Sequence, residues 1–280
     1  MHLANRGGRA HLVVGGRCVD VERASGGRFP ADPMAALAVW PAVRDWAAGR
    51  PAGDGEPLEP AELGPPVPRP SKIVGIGVNY RDHVREAGLE PPATPMIFAK
   101  FPSCLVGPRA DVHLSSGRVD WEVELVVVVG ARARRVPEAR ALEYVAGYCV
   151  GQDISDRRLQ FSDKPPQFSL GKSLDTYGPT GPAVVSLDEL ADPLDLAIEC
   201  EVSGERMQHA RTSAMIFSVP ALLAWLSAHC TLAAGDLIFT GTPAGVGSVR
   251  DPRRYLAPGD VIRSTIEGLG TMENRCIAEA

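Results

Sequence analysis

Residues 121–130 read Trp-Glu-Val-Glu-Leu-Val-Val-Val-Val-Gly, and no other stretch limits the fold so tightly. Trp121, Val123 and Leu125 alternate with Glu122 and Glu124, the period of a strand, in which side chains two apart share a face. From Val126 to Val129 the alternation gives way to a continuous apolar run, the pattern of a buried strand. Two carboxylates therefore project side by side from the mouth of a buried element. Like charges that close repel unless one is protonated or a cation lies between them. An amphipathic strand with its acids in water is the bland alternative, and for an isolated Glu-x-Glu it is the commoner one.

The rest of the chain bears on that choice. Its 280 residues allow one large domain, or a small one beside a larger one. A net charge of −5 argues against a nucleic-acid partner, and no apolar run approaches the length needed to cross a bilayer. The six cysteines, at 18, 104, 149, 200, 230 and 276, form no C-x-x-C pair. With no leader before the first polar residues, free thiols in a reducing cytoplasm are expected. Abundant Gly (29) and Pro (25) point to many turns between short strands.

Residues 10–22 read as a hairpin around Gly15-Gly16. Asp32-Pro33 opens a helix toward Gly49 that Pro41 interrupts. Residues 51–70, with seven prolines and three glycines, read as a linker or extended segment. This divides the chain into a small N-terminal region, 1–70, and a larger domain, 71–280. In the larger part, strands are expected near 96–99, 121–129, 147–153, 196–202, 236–240 and 261–266. Helices are expected near 82–87, 137–146 and 219–229. Many strands with few helices predict a β-rich α+β fold.

Familiar nucleotide and hydrolase motifs are missing. The third glycine of a dinucleotide loop after Gly75-x-Gly77 would fall on Tyr80. Ser169-Leu-Gly-Lys172 matches S-x-x-K without its companion motifs. Other groupings have chemical content. His83 and Glu86 are three apart on a short helix, a spacing that lets the carboxylate polarise the imidazole toward water, although an incidental surface pair is equally plausible. Asp153 ends a strand and would add a third oxygen to the acid pair, suiting Mg²⁺ or Mn²⁺; taken alone it reads better as a turn or cap. Lys172, a lysine retained in an arginine-rich chain, offers a point charge or proton carrier. The loop Gly241-Thr-Pro-Ala-Gly-Val-Gly247 offers N–H groups and the Thr242 hydroxyl to a carboxylate, or is simply a tight loop.

These pieces occur in one order. Asn79-Tyr-Arg-Asp-His83, Val119-Asp-Trp-Glu-Val-Glu-Leu125, Gly151-Gln-Asp-Ile-Ser-Asp-Arg-Arg-Leu-Gln160, Gly171-Lys-Ser-Leu-Asp-Thr176 and Gly235-Asp-Leu-Ile-Phe-Thr-Gly-Thr-Pro243 resemble the fumarylacetoacetate hydrolase family, acylpyruvate hydrolase-like members in particular. The resemblance covers about residues 71–280. It implies a mixed β-roll core, a homodimer and one divalent cation, Mg²⁺ or Mn²⁺, per subunit. Glu122, Glu124 and Asp153 would be the metal ligands, Lys172 the catalytic ammonium, and His83 with Glu86 the water-activating dyad. Arg157 and Gln160 would face the substrate, and Thr242 would bind its carboxylate. Ala183 and Phe101 depart from the family's usual residues in ways expected to alter pocket shape. The implied activity is metal-dependent C–C hydrolysis of a 3-acylpyruvate or related β-diketo acid through an enolate. Decarboxylase, tautomerase, isomerase and hydratase chemistry on the same scaffold are the alternatives, possible also in specialised metabolism; a binding protein on a relict fold is the non-enzymatic rival.

Overall fold

The strand Val123–Val129 is buried along its whole length. It pairs antiparallel with Val145–Gln152 on one side and with Leu237–Phe239 on the other. Val123, Leu125, Val127 and Val129 enter one apolar core, and Val126 and Val128 enter a second. The valine run follows from a sheet covered on both faces. The computed structural model describes residues 1–51, 53 and 55–279; Ala52 and Asp54 of the expected linker, and Ala280, lie outside the described residues.

Among the described residues twelve strands form one mixed sheet. Beyond Leu237–Phe239 come Ile73–Gly77, parallel to it, and then Met96–Lys100. On the other side, beyond Val145–Gln152, come Gly178–Val185, His2–Arg6 and the hairpin of Arg9–Val14 with Arg17–Asp20. A second sheet runs in the order Glu205–Arg211, Ala197–Val202, Val261–Ile266, Gly270–Ala278, Val112–Leu114. Its Ile198, Cys200, Ile262 and Met272 share the first core with Leu125 and Val127. The second core is closed by Leu37, Trp40 and Val43 of the helices Pro33–Ala38 and Trp40–Ala47. The architecture is β-rich α+β, as the strand pattern predicts.

The N-terminal strands extend the same sheet as the larger part, through pairing of His2–Arg6 with Gly178–Val185. The helix opened by Asp32, whose carboxylate accepts from Ala35 N–H at 3.0 Å, stops at Ala38 and restarts around Pro41. The helix expected over 137–146 is instead a 3₁₀ segment, Glu138–Tyr144. Val145 is claimed by antiparallel register with Val129, and pairing inside a buried sheet outweighs local helical preference. Trp121 and Glu122 precede the ladder, because Asp120 pairs with Ser155 in a separate two-stranded piece. All six cysteines are free.

Candidate metal centre and active-site cavity

Antiparallel register builds the acidic cluster. Glu124 lies opposite Gly151 in the central ladder, and two residues further along the Asp153 N–H donates to the Glu122 carbonyl at 2.9 Å. Side chains of Glu122, Glu124 and Asp153 are all buried, and their ligand oxygens lie within 4.8 Å of one another. Burial and the charges of Asp153 and Glu122 push Glu124 well above the usual carboxylate range. Burial works the same way on Glu122, but Lys172 and Arg157 overcome it and hold that group at about 2. An all-oxygen trio of crowded carboxylates is the donor set of a hard divalent cation. Mg²⁺ or Mn²⁺ fits it, because either would replace repulsion with shared attraction.

Three buried cations face these acids. Lys172 Nζ donates to Glu122 Oε2 at 2.8 Å, Asp153 Oδ2 at 2.7 Å and Ser155 Oγ at 2.7 Å. Burial would lower its pKa, yet Asp153 and Glu122 raise it, so Lys172 is held as an ammonium. Arg157 Nε donates to Asp120 Oδ1 at 2.6 Å, Nη1 to Gln160 Oε1 at 2.8 Å and Nη2 to Glu122 Oε1. Lys100 Nζ donates to Asp153 Oδ1 at 2.7 Å, Tyr177 O at 3.2 Å and Lys172 O. Counting Asp120, four buried carboxylates meet three buried cations, so the cluster with every carboxylate ionised has one negative charge in excess.

The dyad is assembled from two segments far apart in sequence. His83 and Glu86 share the helix Arg81–Glu86, and His83 Nδ1 lies 3.3 Å from Glu86 Oε2. Both Glu86 oxygens accept from the Gly245 N–H at 3.0 Å. Gly245 has φ +107°, and a Cβ there would stand 2.0 Å from the Met207 carbonyl. Only glycine lets this loop lie against the second sheet. From the same sheet, Gln208 accepts from Val123 N–H at 3.0 Å and donates to Thr242 Oγ1 at 2.7 Å.

His83, Glu122, Arg157, Gln160, Lys172 and Thr242 line one cavity of about 340 Å³. Glu124 and Asp153 lie behind Glu122, and Glu86 stands behind His83. The Thr242 hydroxyl donates to the Val123 carbonyl at 2.9 Å, so its proton is already placed. Neither Ala183 nor Phe101 is among the described residues that line the cavity. Ala183 packs with Ala4 and Leu63, and Phe101 faces solvent, so the expectation that they reshape the pocket does not hold. Lys100, Asp120 and Gln208 join the site without a motif that assigns them a role. Lys100 carried a signal: on the strand Met96–Lys100 it shares a face with Met96 and Phe98, both of which line the cavity.

A model of the fumarylacetoacetate (FAA) hydrolase C-terminal region matches residues 72–277. The chain belongs to the fumarylacetoacetate hydrolase family. Among its relatives is a mitochondrial oxaloacetate tautomerase of Bos taurus, 45% identical over 76% of this chain and 68% of the relative. A solved structure of a Mycobacterium smegmatis protein is 47% identical, with a TM-score of 0.95 and full coverage of both chains. The maleylpyruvate hydrolase of Sphingobium sp. SYK-6, solved with manganese(II) and pyruvate, has a TM-score of 0.81 at 27% identity over the full length of both. The family comprises hydrolases, isomerases and tautomerases, so the chain is an enzyme, and the buried acidic trio marks a divalent-metal site. Among the described residues no helix is long and apolar enough to cross a membrane.

Proposed function

We propose that the protein is a Mg²⁺- or Mn²⁺-dependent hydrolase that cleaves a C–C bond of a 3-acylpyruvate or related β-diketo acid. The observation that carries this reading is the His83–Glu86 pair on the wall of the cavity that Glu122 and Lys172 also line. Tautomerisation or decarboxylation of a 2-oxo acid needs no attacking water, whereas an oriented imidazole beside the reacting carbonyl serves that step. A divalent cation held by Glu122, Glu124 and Asp153 would supply Lewis-acid stabilisation of negative charge on a 2-oxo acid.

Glu86, fixed by Gly245, holds a proton on His83 Nδ1 and leaves Nε2 as the base. Nε2 takes a proton from water as the oxygen attacks the acyl carbonyl. The C–C bond then breaks, and its electron pair leaves with the pyruvate fragment as an enolate. Lys172, locked as an ammonium, stabilises the developing charge from a fixed position. The proton taken up at Nε2 is returned to the enolate carbon and completes pyruvate, and the acyl part departs as a carboxylic acid that loses its proton to solvent. Gln160 accepts from Arg157 through Oε1, which leaves its amide NH₂ to hold a substrate oxygen. Arg157 lies beside it, and we place substrate-carboxylate binding on this pair ahead of Thr242.

The second reading, oxaloacetate tautomerisation, is favoured by the 45% identity to a tautomerase. Two variants separate the readings. His83→Ala should lower kcat for acylpyruvate hydrolysis by roughly 10²-fold or more while sparing much of any oxaloacetate decarboxylation, which needs no attacking water. Lys172→Ala should damage all of these, because each passes through an enolate. Intact acylpyruvate hydrolysis in His83→Ala would move the tautomerase reading ahead.

A further inference from the structure

Beside its polar residues the cavity is lined by Leu89, Met96, Phe98, Phe161, Phe168 and Val249, and Lys172 Nζ stands 5.2 Å from the centroid of the Phe98 ring. This wall is built into the sheet. A Cβ at Gly75 would lie 2.3 Å from the Phe98 ring, and one at Gly77 would lie 2.2 Å from Met96 Cε. Both glycines of the strand Ile73–Gly77 thus make room for apolar side chains crossing from the neighbouring strand into the cavity. Phe98 and Phe168 pack with ring centroids 6.1 Å apart. Leu89 and Phe161 are each more than half exposed and give the mouth an apolar rim.

Charge points the same way. Among the described residues that line the cavity, the fixed cations are Arg157 and Lys172, and both are ion-paired to buried carboxylates. With its four carboxylates ionised around a divalent cation, the buried cluster and its three cations reach neutrality with one substrate carboxylate. Glu86 adds negative charge beside His83. A second carboxylate at the far end of the substrate would lose water against an apolar wall and find no partner, which is the costly way to bury a charge.

We propose that the cavity takes a 2-oxo acid whose tail beyond the fourth carbon is uncharged and apolar, and rejects one that carries a second carboxylate there. This rests on the 2-oxo acid reading of the site, and it names the acyl group: an alkanoyl or aryl chain, not a dicarboxylic one. Each methylene added along the wall contributes about 0.8 kcal/mol, close to a fourfold gain in affinity, until the tail reaches the mouth.

The test compares 2-oxohexanoate with 2-oxoadipate, which have the same chain length and differ only in the terminal carboxylate. Isothermal titration calorimetry on the Mg²⁺-loaded protein should show 2-oxohexanoate binding at least tenfold more tightly. Leu89→Arg, a change at an exposed rim position, should narrow or reverse that preference. Equal affinities, or tighter binding of 2-oxoadipate by the unaltered protein, would overturn the proposal, as would an unchanged preference in Leu89→Arg. Turnover is read separately with an alkanoylpyruvate and with succinylpyruvate. Absence of hydrolysis of both, with the binding preference intact, would refute the hydrolase reading and leave the tail assignment standing. Faster hydrolysis of succinylpyruvate would refute the tail assignment alone.

Discussion

Replacing Lys100 by methionine isolates a buried charge that touches the site only from behind. Its side chain is inaccessible to solvent, and so is that of Asp153, to which it is bonded at 2.7 Å. At an effective dielectric of about 20 the gross attraction at that distance is about 6 kcal/mol, most of it offset by the desolvation of both groups. Removing one partner keeps the desolvation of the other, and such losses run to about 3–5 kcal/mol. Methionine fills similar space, so little of the loss comes from a cavity. The carbonyls of Lys172 and Tyr177 also lose a donor, which puts the expected loss toward the upper end. For a chain of this size, about 2 °C per kcal/mol gives a fall in Tm of about 6–10 °C, read by calorimetry in metal-free buffer. Mg²⁺ should narrow the gap, because a cation at Asp153 replaces part of the missing charge. A fall under about 2 °C, or a gap that Mg²⁺ leaves unchanged, would refute the view that Lys100 serves as Asp153's counter-charge.

Two further outcomes are expected. Glu124→Ala should abolish or greatly weaken Mg²⁺ binding in calorimetry, since it removes one of three convergent carboxylates; unchanged affinity would exclude Glu124 as a ligand. The protein should be a homodimer in light scattering, a proposal that rests on the family resemblance, and a concentration-independent monomer would count against it.

The elements that were legible in the sequence are those whose period is enforced by burial. The strand Val123–Val129, the hairpin at Gly15-Gly16 and the helix Val219–His229, capped by Ser218, all carry their signal within a few residues. The helix expected at 137–146 was not legible, because the deciding interaction is the pairing of Val145 with Val129. The site divides along the same line. Glu122 and Glu124 announce themselves by spacing, and His83 with Glu86 by helical repeat. Asp153 has no local mark of its own, and only the antiparallel register sets it against Glu122. Lys100 and Gln208 act by reaching across to other segments, at Asp153 and at Val123. The alternation of Met96, Phe98 and Lys100 sets Lys100 on one face of its strand, but which group either residue meets is decided by the fold.

Gly245 ties the proposed base to a part of the molecule that holds none of the three clustered acids. Its N–H fixes Glu86, and its backbone rests on the Met207 carbonyl of the strand Glu205–Arg211. The five-stranded sheet therefore meets the site twice, through Gly245 at Glu86 and through Gln208, which accepts from the Val123 N–H between Glu122 and Glu124. A change in the smaller sheet is felt at the imidazole and at the acidic strand together, although that sheet supplies none of the three clustered acids.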